Sequence, residues 1–319
     1  MTTYLITGGA GFIGSHLAQV LSARGETVRV LDNLASGKLQ NLEPARQGKG
    51  EFSFLEGDIR DLATCREAME GVDYVLHQAA RPSVQRSIED PLATHSVNAT
   101  GSLNLLWAAK EAGAKRVVVA SSSSIYGDVE PADAPKEETL PPRPLSPYAV
   151  SKVAMENYCA AFYKVYGLET VCLRYFNVFG PRQDPDSPYA AVVPKFLFAL
   201  NSGQAPTVFG DGRQNRDFTY VDNVVAANLA ACTAPEAPGL AINVAAGVSH
   251  DLIDLLEVLG ELTGGAAQPT FGPPRAGEVR YSLASLDRAR RVLGYEPLVD
   301  FREGLARLAE LARQGRYLS

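Results

Sequence analysis

The sequence predicts an α/β fold: a doubly wound parallel sheet with helices on both faces, followed by a smaller α/β lobe. Two observations carry that expectation. Short apolar runs alternate with segments of helical spacing through the first half of the chain, and alternating βα units require parallel strands joined by helical crossovers. A glycine-rich turn, Gly8-Gly9-Ala10-Gly11-Phe12-Ile13-Gly14, lies between the first apolar run and the first helical one. With 319 residues there is chain enough for one large α/β unit or two smaller domains, at ~100–200 residues per domain.

Tyr4-Leu5-Ile6 forms the first strand, and Ser15-His16-Leu17-Ala18-Gln19-Val20-Leu21 the helix after the turn. The glycines let the backbone bend sharply and approach a pyrophosphate, while the helix N-terminus offers free N–H groups and a partial positive charge. Thr27–Leu31 is the second strand, ending at Asp32. Phe52–Leu55 is the third, running into Gly57-Asp58-Ile59; Tyr74–Leu76 is the fourth and Val117–Ala120 the fifth. Helices are expected near residues 11–24, 61–70 and 92–113. Asp32 closes the second strand ~20 residues past the glycines, where a carboxylate accepts hydrogen bonds from an adenosine ribose. A 2′-phosphate would be repelled there, so Asp32 favours NAD over NADP; the alternative is a turn or capping aspartate. Asp58 and Ile59 lie at the same sheet edge, within reach of adenine. After the fourth strand, Ala79 and Ala80 permit close approach of the backbone to a cofactor. Asn98 is polar among apolar neighbours, and a satisfied core amide is the competing reading. The expected cofactor set is Gly8, Gly11, Phe12, Ile13, Gly14, Asp32, Asn33, Asp58, Ile59, Gln78, Ala79, Ala80, Asn98, Tyr148, Lys152 and Tyr175.

Composition narrows the partners. The chain is 46% hydrophobic and 21% charged, as in an ordinary soluble protein, and its net charge of -6 argues against a nucleic-acid binder. No apolar run approaches the ~20 residues that span a bilayer, so no membrane association is expected. The start Met-Thr-Thr-Tyr lacks a signal-peptide pattern, and a cytoplasmic location is expected. Cys65, Cys159, Cys172 and Cys232 are scattered, as buried thiols would be in a reducing compartment. His16, His77, His95 and His250 show no metal-ligand spacing, and no metal is expected; packing or loop hydrogen bonding is the reading for His16 and His77.

The fifth strand delivers Ser121-Ser122-Ser123-Ser124-Ile125-Tyr126-Gly127 to the ligand edge of the sheet. Ser146-Pro147-Tyr148-Ala149-Val150-Ser151-Lys152 then puts a tyrosine and a lysine at i, i+4 on one helix face. An ammonium near the phenol and a nicotinamide would lower the tyrosine pKa from ~10 toward the operating pH. The phenolate then takes a hydroxyl proton as hydride leaves for NAD, and a serine hydroxyl bonds the same oxygen.

The glycine turn, Ser122, Tyr148-x-x-x-Lys152 and Arg174-Tyr175-Phe176-Asn177-Val178-Phe179-Gly180-Pro181 together resemble the extended short-chain dehydrogenase/reductases, with their Rossmann-type domain, and more narrowly the UDP-hexose 4-epimerases. The resemblance runs nearly end to end. It implies a tightly held NAD, a transient 4-keto sugar, and a catalytic hydroxyl four residues before the tyrosine of the Tyr-Gly pair, at Ser122. Ser123 and Ser124 occupy the positions where the related dehydratases carry an Asp-Glu pair and the decarboxylases a Glu, so neither elimination nor decarboxylation has its acid. Epimerases of uronic acids can share the serine run but usually differ after the sixth strand; a UDP-uronic acid 4-epimerase, or a non-catalytic NAD-binding regulatory protein, is the alternative.

The sixth strand is Thr170–Tyr175. The Pro-rich loop Gly180–Pro188 then marks a shift, so residues 1–176 are expected mainly to hold the cofactor and 177–319 mainly the substrate, with segments returning to the first domain. By resemblance Asn177 contacts the diphosphate side, the backbone of Ala191, Val192 and Val193 faces uracil, Arg216 and Arg275 bind phosphate, and Glu278 accepts ribose hydroxyls. A guanidinium fork suits phosphate oxygens. Ser282 aligns with a bulky tyrosine of epimerases restricted to UDP-glucose and UDP-galactose. A serine leaves room for a 2-N-acetyl group, so UDP-GlcNAc and UDP-GalNAc are expected substrates, with neighbouring Tyr281 a candidate to refill the space. The resemblance also implies a homodimer through helices near 92–113 and 148–167, for which packing within the monomer is the competing account.

Overall fold

The computed structural model describes residues 1–129, 134–185, 191–264, 268–274 and 279–318. Seven parallel strands form the central sheet: β1 (Thr3–Thr7), β2 (Thr27–Asp32), β3 (Phe52–Glu56), β4 (Tyr74–His77), β5 (Arg116–Ser122), β6 (Glu169–Tyr175) and β7 (Ala241–Val244). Their spatial order is β7-β6-β5-β4-β1-β2-β3. The order reverses between β1 and β4, and the crevice at the carboxyl ends of those strands is where such sheets bind ligands. Val117, Val118 and Val119 of β5 are wholly buried, as a strand covered on both faces requires.

Helices α1 (Phe12–Ala23) and α2 (Leu62–Ala68) fall where the sequence places them. The expected helix near 92–113 is not continuous. It is a short helix Pro91–His95, a π-helical segment Ser96–Gly101 and then α3 (Ser102–Ala112), so periodicity finds the segment and misses its extra-residue turn. Helix α4 (Pro147–Tyr166) starts with Ser146 accepting from the Ala149 N–H at 3.2 Å and ends at Gly167, whose φ of 71° is left-handed.

Later segments divide between two cores. Helix α5 (Val192–Asn201), α6 (Val221–Thr233), α7 (Leu252–Thr263), α8 (Asp287–Leu293) and α9 (Phe301–Arg313) complete the larger helices. Val224 and Ala227 of α6, Ile242 of β7 and Ala289 of α8 pack into the sheet's core, whereas Phe196, Leu255, Phe301 and Leu305 form a separate core with Phe179 and Phe218. Asp217 joins three segments: its carboxylate accepts from the N–H groups of Ala246 at 2.8 Å, Gly247 at 3.0 Å and Ala284 at 3.3 Å.

Two contacts tie the second core to α1. His16 Nε2 lies 3.2 Å from the Pro181 carbonyl oxygen. Buried Arg182, with a left-handed φ of 66°, donates to Gln19 Oε1 at 2.6 Å and Ser15 Oγ at 3.3 Å, while its N–H donates to the Tyr317 carbonyl at 2.8 Å.

Candidate active site

The glycine turn is shaped for a close-lying ligand. A Cβ at Gly14 would lie 2.3 Å from the Gly8 carbonyl oxygen, and one at Gly8 would lie 2.7 Å from the Ala79 backbone. At Gly11, by contrast, a Cβ would meet only the Gly8 oxygen at 3.1 Å, which leaves space above the turn. Gly11 caps α1 without a side-chain partner, so the first-turn N–H groups are offered to an anion. Asp32 is buried and accepts from the Ala10 N–H at 2.9 Å and the Leu34 N–H at 2.8 Å; burial raises its pKa while these donors oppose the rise. The turn-aspartate role weighed against ribose binding is therefore present, and each carboxylate oxygen keeps acceptor capacity beyond it.

Asn33 donates to Asp58 Oδ2 at 2.8 Å, and Arg60 forks onto the same carboxylate at 2.7 and 3.0 Å, holding its pKa down to about 2. The Ile59 side chain is in the core, against Gly101, which leaves its backbone at the sheet edge. Gln78 and Tyr175 meet at Asn228, a residue sequence reasoning did not single out. The Tyr175 hydroxyl lies 3.2 Å from Gln78 Oε1 and accepts from Asn228 Nδ2 at 2.8 Å.

Asn98 shows the hydrogen bonding of the satisfied core amide weighed against a cofactor contact. It sits in the π segment with its amide spent on protein: Oδ1 accepts from the Arg81 N–H at 2.7 Å, and Nδ2 donates to Ser151 Oγ at 3.0 Å and the Arg81 carbonyl at 3.3 Å. Its Nδ2 braces α4 through Ser151, next to Lys152. Behind it, neutral His77 bridges Thr7 Oγ1 and Ser102 Oγ at 2.7 and 2.8 Å, its pKa pushed down to about 3 by burial and Lys152.

A cleft of about 860 Å³ opens beside the turn, lined by Phe12, Ile13, Ser122, Ser123, Ser124, Tyr148, Tyr175, Asn177, Val192, Val193, Arg216 and Ser282, among others. Ser122 Oγ accepts from the Ser124 N–H at 3.2 Å and the Ser124 hydroxyl at 2.9 Å, and Ser122 and Tyr148 both line the cleft. With two donors already on its oxygen, Ser122 keeps its own proton free to donate. Lys152 is buried and donates to the Ala120 carbonyl at 2.6 Å, with its Nζ 5.9 Å from the Tyr148 ring centre. Burial lowers the lysine to about 8 and raises the phenol above its ordinary value, with the Ser122 hydrogen bond opposing the rise.

These residues fit a dinucleotide on the turn and a reducible carbon over Ser122 and Tyr148. Residues 4–245 match the NAD dependent epimerase/dehydratase family. The chain belongs to that family. A UDP-glucose 4-epimerase of Mycolicibacterium smegmatis is 40% identical over 311 residues, covering 97% of this chain and 98% of the relative. Among solved structures, a UDP-glucose 4-epimerase of Thermotoga maritima with UDP-glucose superposes with a TM-score of 0.92 at 38% identity, covering 98% of this chain and 99% of that one. A UDP-N-acetylglucosamine 4-epimerase of Methanobrevibacter ruminantium, in complex with UDP-N-acetylmuramic acid, has the same TM-score at 36% identity and the same coverage.

As in its family, the chain uses NAD. Ser282 is buried in the cleft wall, where its hydroxyl accepts from Asn177 Nδ2 at 3.4 Å and its N–H donates to Asn215 Oδ1 at 2.8 Å. Tyr281 does not refill the space: it is not among the cleft-lining residues, and the Arg280 guanidinium stacks 5.8 Å from its ring centre. Arg275 and Glu278 lie outside the described residues. Among the described residues no cluster of His, Cys, Asp or Glu is arranged to hold a metal, and no helix is long and apolar enough to cross a membrane.

Sequence reasoning missed the support behind the serines. Glu156, one turn beyond Lys152, forks onto Arg174 at 3.0 and 2.8 Å and accepts from Ser121 Oγ. Arg174 also donates to the Tyr126 hydroxyl at 2.8 Å, which donates to Asn243 Oδ1 at 2.7 Å. Glu156 at i+8 from Tyr148 shares roughly the same helix face, and that spacing was the available signal.

Proposed function

We propose that the chain epimerises a UDP-hexose at C4, interconverting UDP-GlcNAc with UDP-GalNAc and also UDP-glucose with UDP-galactose. The observation that carries this reading is the Ser122–Tyr148 hydroxyl pair in a cleft whose Ser123 and Ser124 offer no acid beside it. Glu89, the carboxylate among the lining residues, is exposed on the helix Val84–Glu89. Redox chemistry at C4 then has no partner for elimination.

When bound, NAD supplies a hydride acceptor and donor and a positive ring charge that opposes the burial of the phenol. Gly8, Gly11, Phe12, Ile13 and Gly14 would hold its pyrophosphate, Asp32 a ribose, and Lys152 the ribose next to the reacting ring. Tyr148 takes the 4-hydroxyl proton through its phenolic oxygen and later returns it. Ser122, oriented by Ser124, donates its proton to the oxygen at C4 and stabilises charge there. The keto sugar turns over between the two transfers, so no net oxidation results.

Asn177 and Arg216, with Arg275 and Glu278, are assigned to the diphosphate and ribose, and the Val192–Val193 end of α5 to uracil. The Ser282 wall, with Tyr281 turned to Arg280, supports acceptance of a 2-acetamido group. The same reading makes the protein a homodimer: Leu92 and Val150 are exposed apolar residues beside one another on the helices the family pairing would bury. It also places the enzyme in the cytoplasm, where four free, buried thiols persist.

The test is incubation with UDP-GlcNAc, UDP-glucose and UDP-glucuronate in parallel, with products resolved by proton NMR. UDP-GalNAc formation supports the reading, and Ser282→Tyr should cut turnover of UDP-GlcNAc far more than of UDP-glucose. Conversion of UDP-glucuronate alone would make it a uronic acid epimerase, and conversion of none a non-catalytic protein.

A further inference from the structure

The cleft contains a lysine, Lys136, that the chemistry above leaves without a task. Its residue is 3% exposed, and its Nζ donates to the Gly127 carbonyl at 2.8 Å. An ammonium has three donors, so two remain, and no carboxylate of the described residues forms an ion pair with it. A buried cation without a counter-ion is costly, and a neutral donor would serve the Gly127 carbonyl as well. A ligand oxygen accounts for keeping the charge.

The backbone fixes where that oxygen must be. Lys136 bridges Ala284 in parallel register, its N–H donates to the Leu283 carbonyl at 2.8 Å, and its carbonyl accepts from the Ser285 N–H at 3.0 Å and Asn243 Nδ2 at 2.8 Å. Paired residues point to the same face of an extended ladder, and so do residues two apart. The bridge puts Lys136 on the same side as Ala284, and Lys136 lines the cleft together with Ser282, the residue that the proposed function assigns to the C2 substituent. Asp128 and Arg216 act on the ammonium from either side. The stabilising influence of Asp128 exceeds the opposing one of Arg216, while burial holds the lysine down to about 8. Lys136 and Ser282 line the same cleft, and the acyl oxygen of a C2 amide is an acceptor of the kind the ammonium lacks.

We infer that Lys136 is a specificity-determining residue of this cleft, donating a hydrogen bond to the acyl oxygen of a 2-acylamino group on the UDP-bound hexose. The inference rests on the proposed function. It makes 2-acetamido sugar nucleotides the preferred class and 2-hydroxy ones the poorer class.

The holoenzyme and its Lys136→Met, Lys136→Gln and Lys136→Arg variants are compared on UDP-GlcNAc and UDP-glucose. Loss of a hydrogen bond from a charged donor predicts that Lys136→Met lowers kcat/KM for UDP-GlcNAc roughly tenfold or more relative to UDP-glucose, chiefly through KM. Lys136→Gln shows the same fall at an unchanged thermal midpoint, and Lys136→Arg keeps most of the preference. A second readout is calorimetry at pH 8 in two buffers of different ionisation enthalpy. UDP-GlcNAc binding to the native protein takes up protons as the lysine is stabilised, and Lys136→Met abolishes that uptake. An unmoved ratio between the two sugars, or weakened binding of UDP itself, overturns the inference while leaving epimerase activity standing. A native protein that converts neither sugar overturns both.

Discussion

Replacing Glu156 by glutamine tests whether the buried ion pair behind the serines shapes the site. The side chains of Arg174 and Glu156 are 6% and 11% exposed, and the carboxylate takes two hydrogen bonds from the guanidinium and one from Ser121. Arginine stays charged in any protein environment, so Glu156→Gln strands its cation. Removing one partner of a buried pair costs ~3–5 kcal/mol, and the remaining amide oxygen recovers ~1 kcal/mol by keeping one bond. The net loss is about 2–4 kcal/mol, a factor of roughly 30 to 1,000 in the folding equilibrium. Urea unfolding of the holoenzyme reads that loss directly. Because Ser121 precedes Ser122 on β5, kcat should fall in the folded variant more than KM rises. A stability loss under ~1 kcal/mol with native kcat would refute the argument that this buried pair shapes the site.

Three further outcomes follow from the same geometry. Tyr148→Phe should retain bound NAD, seen as nucleotide absorbance after purification, while turnover falls by ~10²–10⁴ or more; normal turnover would remove Tyr148 from the chemistry. Gly14→Ala places a Cβ 2.3 Å from the Gly8 oxygen, so the purified variant should carry little NAD and melt earlier; full occupancy would show that the turn relaxes freely. Burial holds Asp217 protonated in the folded protein up to about 7, against an ordinary 3.8. Between those values the folded state binds more protons than the unfolded one, so this group's contribution to stability falls as pH rises, by at most ~1.4 kcal/mol per unit. Asp217→Asn should flatten that slope between pH 4 and 7 in denaturation curves, and an unchanged slope would assign it elsewhere.

Much of this was legible in the chain because it is local. Strands β1 to β6 are contiguous apolar runs, and the glycine turn and Tyr148-x-x-x-Lys152 are short-range spacings. Strand β7 was not legible: Ala241-Ile242-Asn243-Val244 is four residues long, carries an asparagine, and pairs with β6 across some seventy positions. The π segment escaped because apolar spacing reports a face, not an inserted residue. The protein partners of Asn98 and the packing of the Ile59 side chain against Gly101 come from distant segments, so spacing does not reveal them. Asn228, Glu156 and Lys136 gain meaning from partners far away in sequence, which no window of spacing reveals.

The Arg182 and His16 contacts have a consequence for motion. In the proposed binding mode helix α1 presents its N-terminus to the pyrophosphate, and the flank of the same helix is hydrogen-bonded to the segment that begins the second core. On that proposal one helix braces both the cofactor side and the substrate side of the cleft. An enzyme that must offer one ring to both faces of a sugar benefits from such a jig: the workpiece rotates and the vice stays still.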